Sequence, residues 1–547
     1  MANPPQHPYF RGRVVYQIYP RSFQDSNGDG VGDIPGIIER LNYLNDGHPA
    51  EATSLGVNMI WLSPFYPSPM ADFGYDISDY CNVHPLFGTL DDFRRLVKES
   101  HRRGLKLMID FVPNHSSHQH PWFLESRSSR RNPRRDWYYW REPAPGGGPP
   151  NNWLSVFGGS AWELDPSTGQ YYLHSFLKEQ PDLNWEHPEL RAAMLDAIRF
   201  WLKLGVDGIR VDAVDWMAKD LKFRDNPPNP RYRPGHDDPF HKYLRRHSQN
   251  AAHLYKYLRA MAEVVKASPN GFMVTETYPD RDDIVAEYRK IFENYDATVS
   301  APFNFELIKL PWEAQAYKQF IDRYQAMLKP NYLPIYVLGN HDQPRLATRI
   351  GPAAARGAAL LQLTLPGAAF IYYGEELGLR NVTIPPARVQ DPFEKRVPGL
   401  GLGRDPERTP MPWSGVAHAG FSAAEPWLPL GPDYPMHNVH SELADQHSSL
   451  HLYQKLIHLR NISPILQYGS YHPLETHHPE VFGFVREYRG FKYAVVLNFS
   501  GQPAAITTAL GPGLLLYSAQ SQRESGLVDL GSVTLPPHEG YVVAIEH

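Results

Sequence analysis

Acidic side chains directly follow several short apolar segments, and these residues are the ones best suited to chemistry. Asp212 follows one such segment, Glu276 follows a second and Asp342 a third. An ionised carboxylate can act as a nucleophile or base, and a protonated one can donate its proton to a leaving group. Residues so far apart in the chain can act together only if the fold gathers the ends of these segments.

Strand-like and helix-like segments alternate along most of the chain. Alternation of this kind predicts a parallel sheet, and repeats that end in polar residues predict a (β/α)8 TIM barrel with its site at the C-terminal face. A doubly wound sheet is the alternative, but no glycine-rich dinucleotide loop follows any strand-like segment. The strand-like segments are 14–19, 59–62, 105–111, 208–211, 272–274, 335–338 and 370–373, and the clearest helix-like ones are 90–103, 189–204 and 241–267.

Two regions interrupt this alternation. Residues 116–179 are rich in Pro, Gly, Asn and Trp and are too long for an ordinary loop, which predicts an inserted subdomain after the third strand. From residue 469 the pattern changes to short alternating strands, which predicts a C-terminal antiparallel β-sandwich domain. The barrel is then formed by residues 1–115 and 180–468, and the last domain by 469–547.

Composition excludes several classes of protein. The 547 residues are 42% hydrophobic and 21% charged with a formal net charge of −5, so a nucleic-acid partner is not expected. The single cysteine, Cys81, excludes an intramolecular disulfide. The N-terminus lacks the apolar core of a signal peptide, and no stretch approaches the ~18 apolar residues of a membrane span. We therefore expect a cytoplasmic protein without a membrane partner.

Four motifs carry a resemblance to a known family. In chain order they resemble the four signature regions of the α-amylase family, glycoside hydrolase family thirteen, and the segment Gln180-Pro181-Asp182-Leu183-Asn184 resembles its oligo-1,6-glucosidase-like branch. The resemblance covers nearly the whole chain and implies cleavage of glycosides with retention of configuration. The motifs are Asp110-Phe111-Val112-Pro113-Asn114-His115, Gly208-Ile209-Arg210-Val211-Asp212, Glu276 and Asn340-His341-Asp342.

The resemblance implies a role for each carboxyl group. Asp212 would be the nucleophile, Glu276 the protonated general acid/base, and Asp342 a third carboxylate that binds sugar hydroxyls. Retention requires the first two to lie about 5–5.5 Å apart, a spacing that adjacent strand ends of a barrel can supply. Arg210 shares a strand face with Asp212 because side chains alternate with period two, and its charge would keep Asp212 ionised.

Further residues would bind the same glucose. By resemblance, His115 and His341 bond its hydroxyls, Tyr75 stacks on its ring and Asp72 bonds its far hydroxyls. Arg408 resembles the arginine that pairs with Asp72, and the pair would close the pocket beyond the terminal glucose. Phe176 is expected to line this pocket, with a role in the hydrophobic core as the alternative.

These residues together imply an exo-acting α-glucosidase that releases α-glucose from non-reducing ends. Maltose and short malto-oligosaccharides are the expected substrates, and sucrose is a further candidate. Ala213 follows the nucleophile, where relatives with Ala or Thr prefer α-1,4 bonds and those with Val resemble α-1,6 enzymes. Two alternatives stay open: a sugar isomerase or transglucosidase of the sucrose isomerase or trehalose synthase type, and a non-catalytic, transporter-associated relative.

A loop after the first strand suggests a metal site. It places Asp25, Asn27, Asp29, Val31 and Asp33 at alternating positions, with glycines between them. Oxygen ligands of this kind suit Ca²⁺ or Mg²⁺. The loop lacks the terminal glutamate of an EF-hand, but in the family branch it holds a structural Ca²⁺. A metal-free turn is the alternative.

Overall fold

The computed structural model describes residues 10–48, 53–279, 283–520 and 525–545. The strands, in chain order, are β1 (Val14–Ile18), β2 (Met59–Leu62), β3 (Lys106–Phe111), β4 (Trp140–Arg141), β5 (Trp162–Asp165), β6 (Gln170–Leu173), β7 (Gly208–Val211), β8 (Phe272–Thr275), β9 (Ser300–Pro302), β10 (Ile335–Val337), β11 (Ala368–Tyr372), β12 (Ser470–Leu474), β13 (Val481–Tyr488), β14 (Phe491–Asn498), β15 (Ala504–Ile506), β16 (Pro512–Ser518), β17 (Gly526–Asp529), β18 (Val533–Leu535) and β19 (Gly540–Ile545).

Helices lie between successive strands of the barrel sheet and follow its last strand, β11. Their bounds are Ile34–Glu39, Leu41–Leu44, Leu90–Arg102, Pro121–Ser128, Pro188–Lys203, Leu254–Lys266, Ile284–Asn294, Glu306–Lys309, Ala314–Met327, Leu346–Ile350, Pro352–Thr364, Pro392–Arg396, Val439–Ala444, Ser449–Ile462 and Pro464–Tyr468. The helix Leu90–Arg102 shows why the sequence forms them: Thr89 and Asp92 make a reciprocal capping box at its start, and its buried face is apolar.

Eight parallel strands form the barrel, so the predicted (β/α)8 fold is confirmed. Their order is β10-β11-β1-β2-β3-β7-β8-β9. A parallel bridge between Asn304 and Tyr336 joins the end of β9 to β10 and closes the ring. Every residue of β1, β2, β7 and β8 is buried, as expected for a sheet covered on both faces. All C-terminal strand ends therefore meet at one rim.

Two further β units accompany the barrel. The antiparallel sheet β4-β6-β5 lies between β3 and β7 in the chain, within the segment assigned to the inserted subdomain. After the barrel, a six-stranded sheet, β12-β13-β14-β19-β16-β17, and the pair β15-β18 form the C-terminal unit. The buried Arg486 ties this unit to the barrel, because its guanidinium donates to the carbonyls of Thr364, Leu466 and Gly469.

The structure corrects two details of the predicted elements. The strand β9 was not predicted, because it has only three residues, Ser300, Ala301 and Pro302, and no apolar run. The helix expected over 241–267 begins only at Leu254, because the residues before it form a 3-10 turn and a long loop. None of the helices in the described part of the chain is long and apolar enough to cross a membrane.

Candidate active site

Asp212 and Glu276 lie at the C-terminal ends of the adjacent strands β7 and β8. The backbone N–H of Asp212 donates to Phe111, and that of Glu276 donates to Val211, so the ladder of hydrogen bonds extends one residue beyond each strand. Both side chains are about nine-tenths buried, with 10% and 8% exposure. The barrel therefore fixes the two carboxyl groups side by side at its rim, as predicted from their strand-end positions.

Arg210 joins these two groups to a third carboxylate. Its Nη1 contacts Oδ1 of Asp212 and Oδ1 of Asp110, both at 2.6 Å, and its Nη2 contacts Oε1 of Glu276 at 2.8 Å. The guanidinium is 1% exposed and lies 5.3 Å from the centre of the Trp61 ring. Short, charge-assisted bonds of this kind orient carboxylates as well as stabilising their charge.

The charges at this cluster do not balance. One guanidinium faces three carboxyl groups in a buried site, and like charges so close cannot all stay ionised. Burial raises the pKa of Asp212, and the charges of Glu276 and Asp110 add to the effect while Arg210 opposes it. Burial likewise raises the pKa of Asp110 to about 6. Burial and the excess of negative charge therefore both favour the protonated forms of Asp212 and Asp110, against the effect of Arg210.

Two groups hold Glu276 in place from its other side. The backbone N–H of Ala213 donates to Oε2 at 2.9 Å, and the hydroxyl of Tyr278 donates to Oε1 at 3.0 Å. Ala213 can point its N–H this way because its backbone is left-handed, with φ of 48°. The ring of Tyr278 in turn stacks on Phe305. The acid/base candidate is thus oriented by the residue that follows the nucleophile.

A relay of hydrogen bonds fixes the first glucose-binding candidates. The amide of Gln17 donates to Nδ1 of His341 at 2.8 Å, so Nε2 carries the proton and faces the hydroxyl of Tyr75 at 2.6 Å. That hydroxyl donates to Asp110 at 3.1 Å. Burial lowers the pKa of His341 to about 3, so the ring is neutral. His341 orients Tyr75, and its own ring nitrogens are engaged by protein groups.

Two arginines form ion pairs with the remaining acidic residues of the site. Arg408 contacts Asp342 at 2.8 Å and donates to the carbonyl of His341, whereas Arg404 contacts Asp72 at 2.8 Å, Asp391 at 2.7 Å and Asp342 at 3.2 Å. The prediction that Arg408 pairs with Asp72 is therefore wrong: the partner is Arg404. The 3-10 turn Asp405–Glu407 separates the two arginines, which share Asp342, while Asp72 and Asp391 are contacted by Arg404.

His115 and Phe176 lie together on another wall. Nε2 of His115 faces the amide of Gln180 at 3.0 Å, and the same amide donates to Asp72 at 3.2 Å. Burial lowers the pKa of His115 to about 4, so it is neutral near pH 7 and can bond a hydroxyl. The ring of Phe176 lies 5.1 Å from that of His115 and 5.2 Å from that of Trp216, so Phe176 is part of the site wall.

These groups line one cavity of about 400 Å³. The predicted Arg210, His341 and Arg408 are not among its lining residues; they contact and orient the groups that are. The lining also includes apolar residues, among them Val156, Phe157 and Phe393. The predicted residues on the cavity surface are Asp72, Tyr75, His115, Phe176, Asp212, Glu276 and Asp342.

In the loop predicted to hold a metal, acidic side chains accept hydrogen bonds from the loop's own backbone N–H groups. Asp25 accepts from the N–H groups of Asn27, Gly28 and Gly30 and from the hydroxyl of Ser422. Asp33 accepts from Ser26 and from the N–H of Gly36 at the start of the helix Ile34–Glu39. No cluster of three His, Cys, Asp or Glu side chains placed for a metal occurs in the described residues. Asp33 serves here as a helix cap.

The fit of Ca²⁺ to this loop depends on the other four positions. The side chain of Asn27 accepts from the N–H of Asp29, and that of Asp29 accepts from the N–H of Val31. Each of these oxygens has a lone pair left for a cation. The oxygen-rich donor set suits a hard cation, which would share these oxygens with the backbone donors. The calcium site stays a prediction.

Four residues that contact the predicted site residues were not predicted from the sequence. Arg404 and Asp391 form the ion pairs of one wall, Tyr278 holds Glu276, and Gln180 connects His115 to Asp72. Arg404 had a signal, since it precedes Arg408 by four residues in a Gly-Arg-Asp segment. Tyr278 had one as well, because it lies two residues after Glu276 and an extended backbone places such residues on one face.

Two carboxyl groups on adjacent strand ends, joined by one arginine and facing a cavity with further polar groups, are the arrangement of a glycoside hydrolase site on a (β/α)8 barrel. The model of the alpha amylase catalytic domain matches residues 17–469. The chain belongs to the α-amylase family of glycoside hydrolases.

Relatives and solved structures agree with this assignment. The chain is 38% identical to an oligo-1,6-glucosidase of Parageobacillus thermoglucosidasius, over 90% of each chain. It is similar to the crystal structure of an α-glucosyl transfer enzyme, with 39% identity, a TM-score of 0.91 and coverage of 99% of this chain and 100% of that one. It is also similar to the trehalulose synthase of Pseudomonas mesoacidophila MX-45, with 34% identity, a TM-score of 0.87 and coverage of 99% and 100%.

Proposed function

We propose that this enzyme is a retaining, exo-acting α-glucosidase that releases α-glucose from the non-reducing ends of short α-glucosides and prefers α-1,4 bonds. The observation that carries the proposal is the Arg404 bridge. One guanidinium joins Asp72, Asp342 and Asp391 beside the two catalytic carboxyl groups. Such a bridge closes one end of the cavity, so that a chain end can enter and an internal chain segment cannot.

Each carboxyl group then has a defined task. Asp212 attacks the anomeric carbon, while Glu276 protonates the departing oxygen and afterwards deprotonates the water that cleaves the glucosyl-enzyme. Arg210 holds both groups and stabilises the carboxylate of Asp212. Asp342 stays ionised for binding hydroxyls, because the charges of Arg404 and Arg408 oppose the effect of burial and hold its pKa below the usual value.

Stereochemistry and direction of attack test this proposal together. Early proton NMR of a 4-nitrophenyl α-glucoside digest should show α-glucose as the first sugar, because the leaving group of this substrate contributes no glucose of its own, and malto-oligosaccharides labelled at the reducing end should lose one glucose at a time. Early β-glucose would refute retention. Labelled products shortened by several glucoses in one step would refute exo action. Maltose, short malto-oligosaccharides and sucrose are the substrates to compare.

Transfer to a sugar or other hydroxyl is a second candidate activity. The apolar part of the cavity lining supports this activity. The ring centres of Phe157 and Phe393 are 5.1 Å apart there, and apolar rings of this kind can hold an acceptor and reduce the access of water. The similarity to an α-glucosyl transfer enzyme and to a trehalulose synthase points the same way. Chromatography of products at low and at high maltose concentration would separate the two: transfer products should increase with maltose, and their absence at high maltose would leave hydrolysis alone.

We also propose a structural Ca²⁺ in the loop that includes Asp25, Asn27, Asp29, the Val31 carbonyl and Asp33, and a cytoplasmic location. A cation bound only by the folded state would stabilise it, so prolonged chelation should lower the melting temperature and added Ca²⁺ should restore it. Elemental analysis that finds no metal, with an unchanged melting curve after chelation, would refute the site. Cell fractionation tests the location.

A further inference from the structure

Arg21, Phe73 and Trp427 form a compact group behind the glucose-binding wall, here called the Arg21 cluster. The guanidinium carbon of Arg21 lies 5.0 Å from the centre of the Phe73 ring and 4.6 Å from that of Trp427, and the two rings are 5.4 Å apart. Arg21 is 8% exposed, and its Nε has no hydrogen-bond partner among the described residues. The guanidinium thus makes cation–π contacts with both rings, and its Nη1 also lies 3.5 Å from the sulfur of Met70.

The cluster is built on rigid parts of the barrel. Arg21 lies in the 3-10 turn Pro20–Ser22 that follows β1. The indole N–H of Trp427 donates to the hydroxyl of Ser22 at 3.0 Å, and its backbone N–H donates to the carbonyl of Gly30 at 3.0 Å. Arg21 and Trp427 are thus held in place independently of Phe73.

Phe73 is the strained member of the cluster. Its φ is 49°, in the left-handed region where a bulky residue is an outlier, and Gly74 follows with φ of 110°. Phe73 stands directly after Asp72 and two residues before Tyr75, and both of those line the cavity. Phe73 does not line it. The strain is located where the chain must present Asp72 and Tyr75 to the substrate.

We propose that Arg21 is a positioning residue: by holding the Phe73 ring it maintains the left-handed turn and thereby fixes Asp72 and Tyr75 in the glucose site. This role rests on the proposed function, in which glucose occupies that site. Packing alone does not require a guanidinium here, because a methionine of similar length would fill the space without the cost of burying a charge.

Binding of glucose itself provides the test, since it does not depend on the chemical step. In Arg21→Met we expect the inhibition constant of glucose, measured against 4-nitrophenyl α-glucoside, to rise about tenfold as the strained turn relaxes. KM for maltose should rise with it, and kcat should change less than about threefold. Arg21→Lys keeps the charge but loses the planar contact, so its effect should be intermediate.

Arg40→Met is the matched control. Arg40 lies 4.3 Å from the centre of the Trp413 ring, in a similar arginine–tryptophan contact that does not involve Phe73 or Asp72. It should lower the melting temperature about as much as Arg21→Met and leave the glucose inhibition constant unchanged. Trp427→Leu, which removes the other side of the cluster, should weaken glucose binding in the same way as Arg21→Met, and it keeps the test decisive if Arg21→Met does not fold.

A double-mutant cycle identifies the route of the effect. If Arg21 acts through Asp72, then Arg21→Met should weaken glucose binding much less in an Asp72→Asn background than in the wild type. Equal losses in both backgrounds, or an unchanged inhibition constant in Arg21→Met and Trp427→Leu, would overturn the proposal. A wild-type enzyme that does not bind glucose would refute both the proposed function and this role, whereas normal wild-type binding with unaffected variants would refute only the role.

Discussion

Arg210 determines how the carboxyl groups of the site share their charge. Its one guanidinium contacts Asp110, Asp212 and Glu276, so a single positive charge faces three carboxyl groups. Arg210 opposes the effect of burial on the pKa of Asp212 and of Asp110, while the neighbouring carboxyl groups add to it. Ala213 and Tyr278 then select the orientation of Glu276.

Replacement of the two catalytic carboxyl groups should have different signatures. Asp212→Asn should reduce turnover to near background on every substrate and still bind maltose, because the covalent step is lost and the cavity is kept. Glu276→Gln should be slower by roughly 10²–10⁴-fold on maltose, and much less so on aryl glucosides whose leaving groups need no proton. Steady-state kinetics on both substrates checks this; equal losses for Glu276→Gln on both would contradict its role as acid.

Ala213 affords a prediction about linkage. It borders the cavity next to Glu276, so Val in its place should crowd an aglycone attached directly through its ring and narrow or reverse a preference for maltose over isomaltose. A change of one or two carbons is worth about 1–3 kcal/mol, or roughly 10–200-fold in kcat/KM. The left-handed backbone of Ala213 adds strain for a β-branched residue and could displace the N–H that holds Glu276.

Ala213→Gly is the control for that strain, because glycine accepts the left-handed backbone and leaves the wall open. It should keep the wild-type ratio of kcat/KM for maltose over isomaltose. A Val variant that loses activity equally on both disaccharides would show displacement of Glu276, and a wild-type preference for isomaltose would contradict the assignment of linkage to this position.

At the scale of elements, strand ends were predictable because barrel strands are buried apolar segments that terminate in polar residues. This placed Asp212, Glu276 and Asp342 on one rim. The same reasoning could not find β9, since Ser300, Ala301 and Pro302 contain no apolar run and the strand exists only through its neighbours. It also assigned Asp72 to Arg408 instead of Arg404, because the conformation of the turn Asp405–Glu407 between the two arginines cannot be read from the residue types.

Asp33 has two candidate roles, as the cap of a helix and as a ligand of Ca²⁺, and substitution can distinguish them. As the cap of the helix Ile34–Glu39, Asp33 accepts from Gly36 at 2.7 Å, and asparagine caps about as well as aspartate. We expect Asp33→Asn to be nearly neutral in chelated protein and Asp33→Ala to cost about 0.5–2 kcal/mol, measured by urea unfolding. If Asp33→Asn abolished the stabilisation by Ca²⁺, the carboxylate would be a ligand as well as a cap.

At the scale of the whole molecule, buried ionisable groups set the pH range of stability. Burial lowers the pKa of His115 to about 4, so the unfolded chain, with a value near 6.5, binds more protons between these two values and stability is lost as the pH falls through them. Burial raises the pKa of Glu375 and Glu407 to about 8 from 4.5, so the folded state binds more protons in that range and stability falls as the pH rises. For these three groups together, stability should fall as the pH rises from about 4.5 to 8, and most steeply above 6.5, where His115 no longer opposes the loss.

Glu375 allows the alkaline side of this profile to be tested, because it lies outside the cavity lining and accepts from the hydroxyl of Tyr453 at 3.3 Å. Glu375→Gln keeps an acceptor oxygen and cannot ionise. Between pH 6 and 8, the free energy of unfolding of the wild type should fall by up to about 1.4 kcal/mol per pH unit for each such group. In the variant the contribution of Glu375 to this slope should be absent. Urea unfolding at several pH values measures both slopes, with Glu480→Gln at an exposed position as the control. If the free energy of unfolding falls with pH at the same slope in the wild type and in Glu375→Gln, Glu375 is already ionised in the folded enzyme at neutral pH. The loss of stability with rising pH would then have to come from other buried acids.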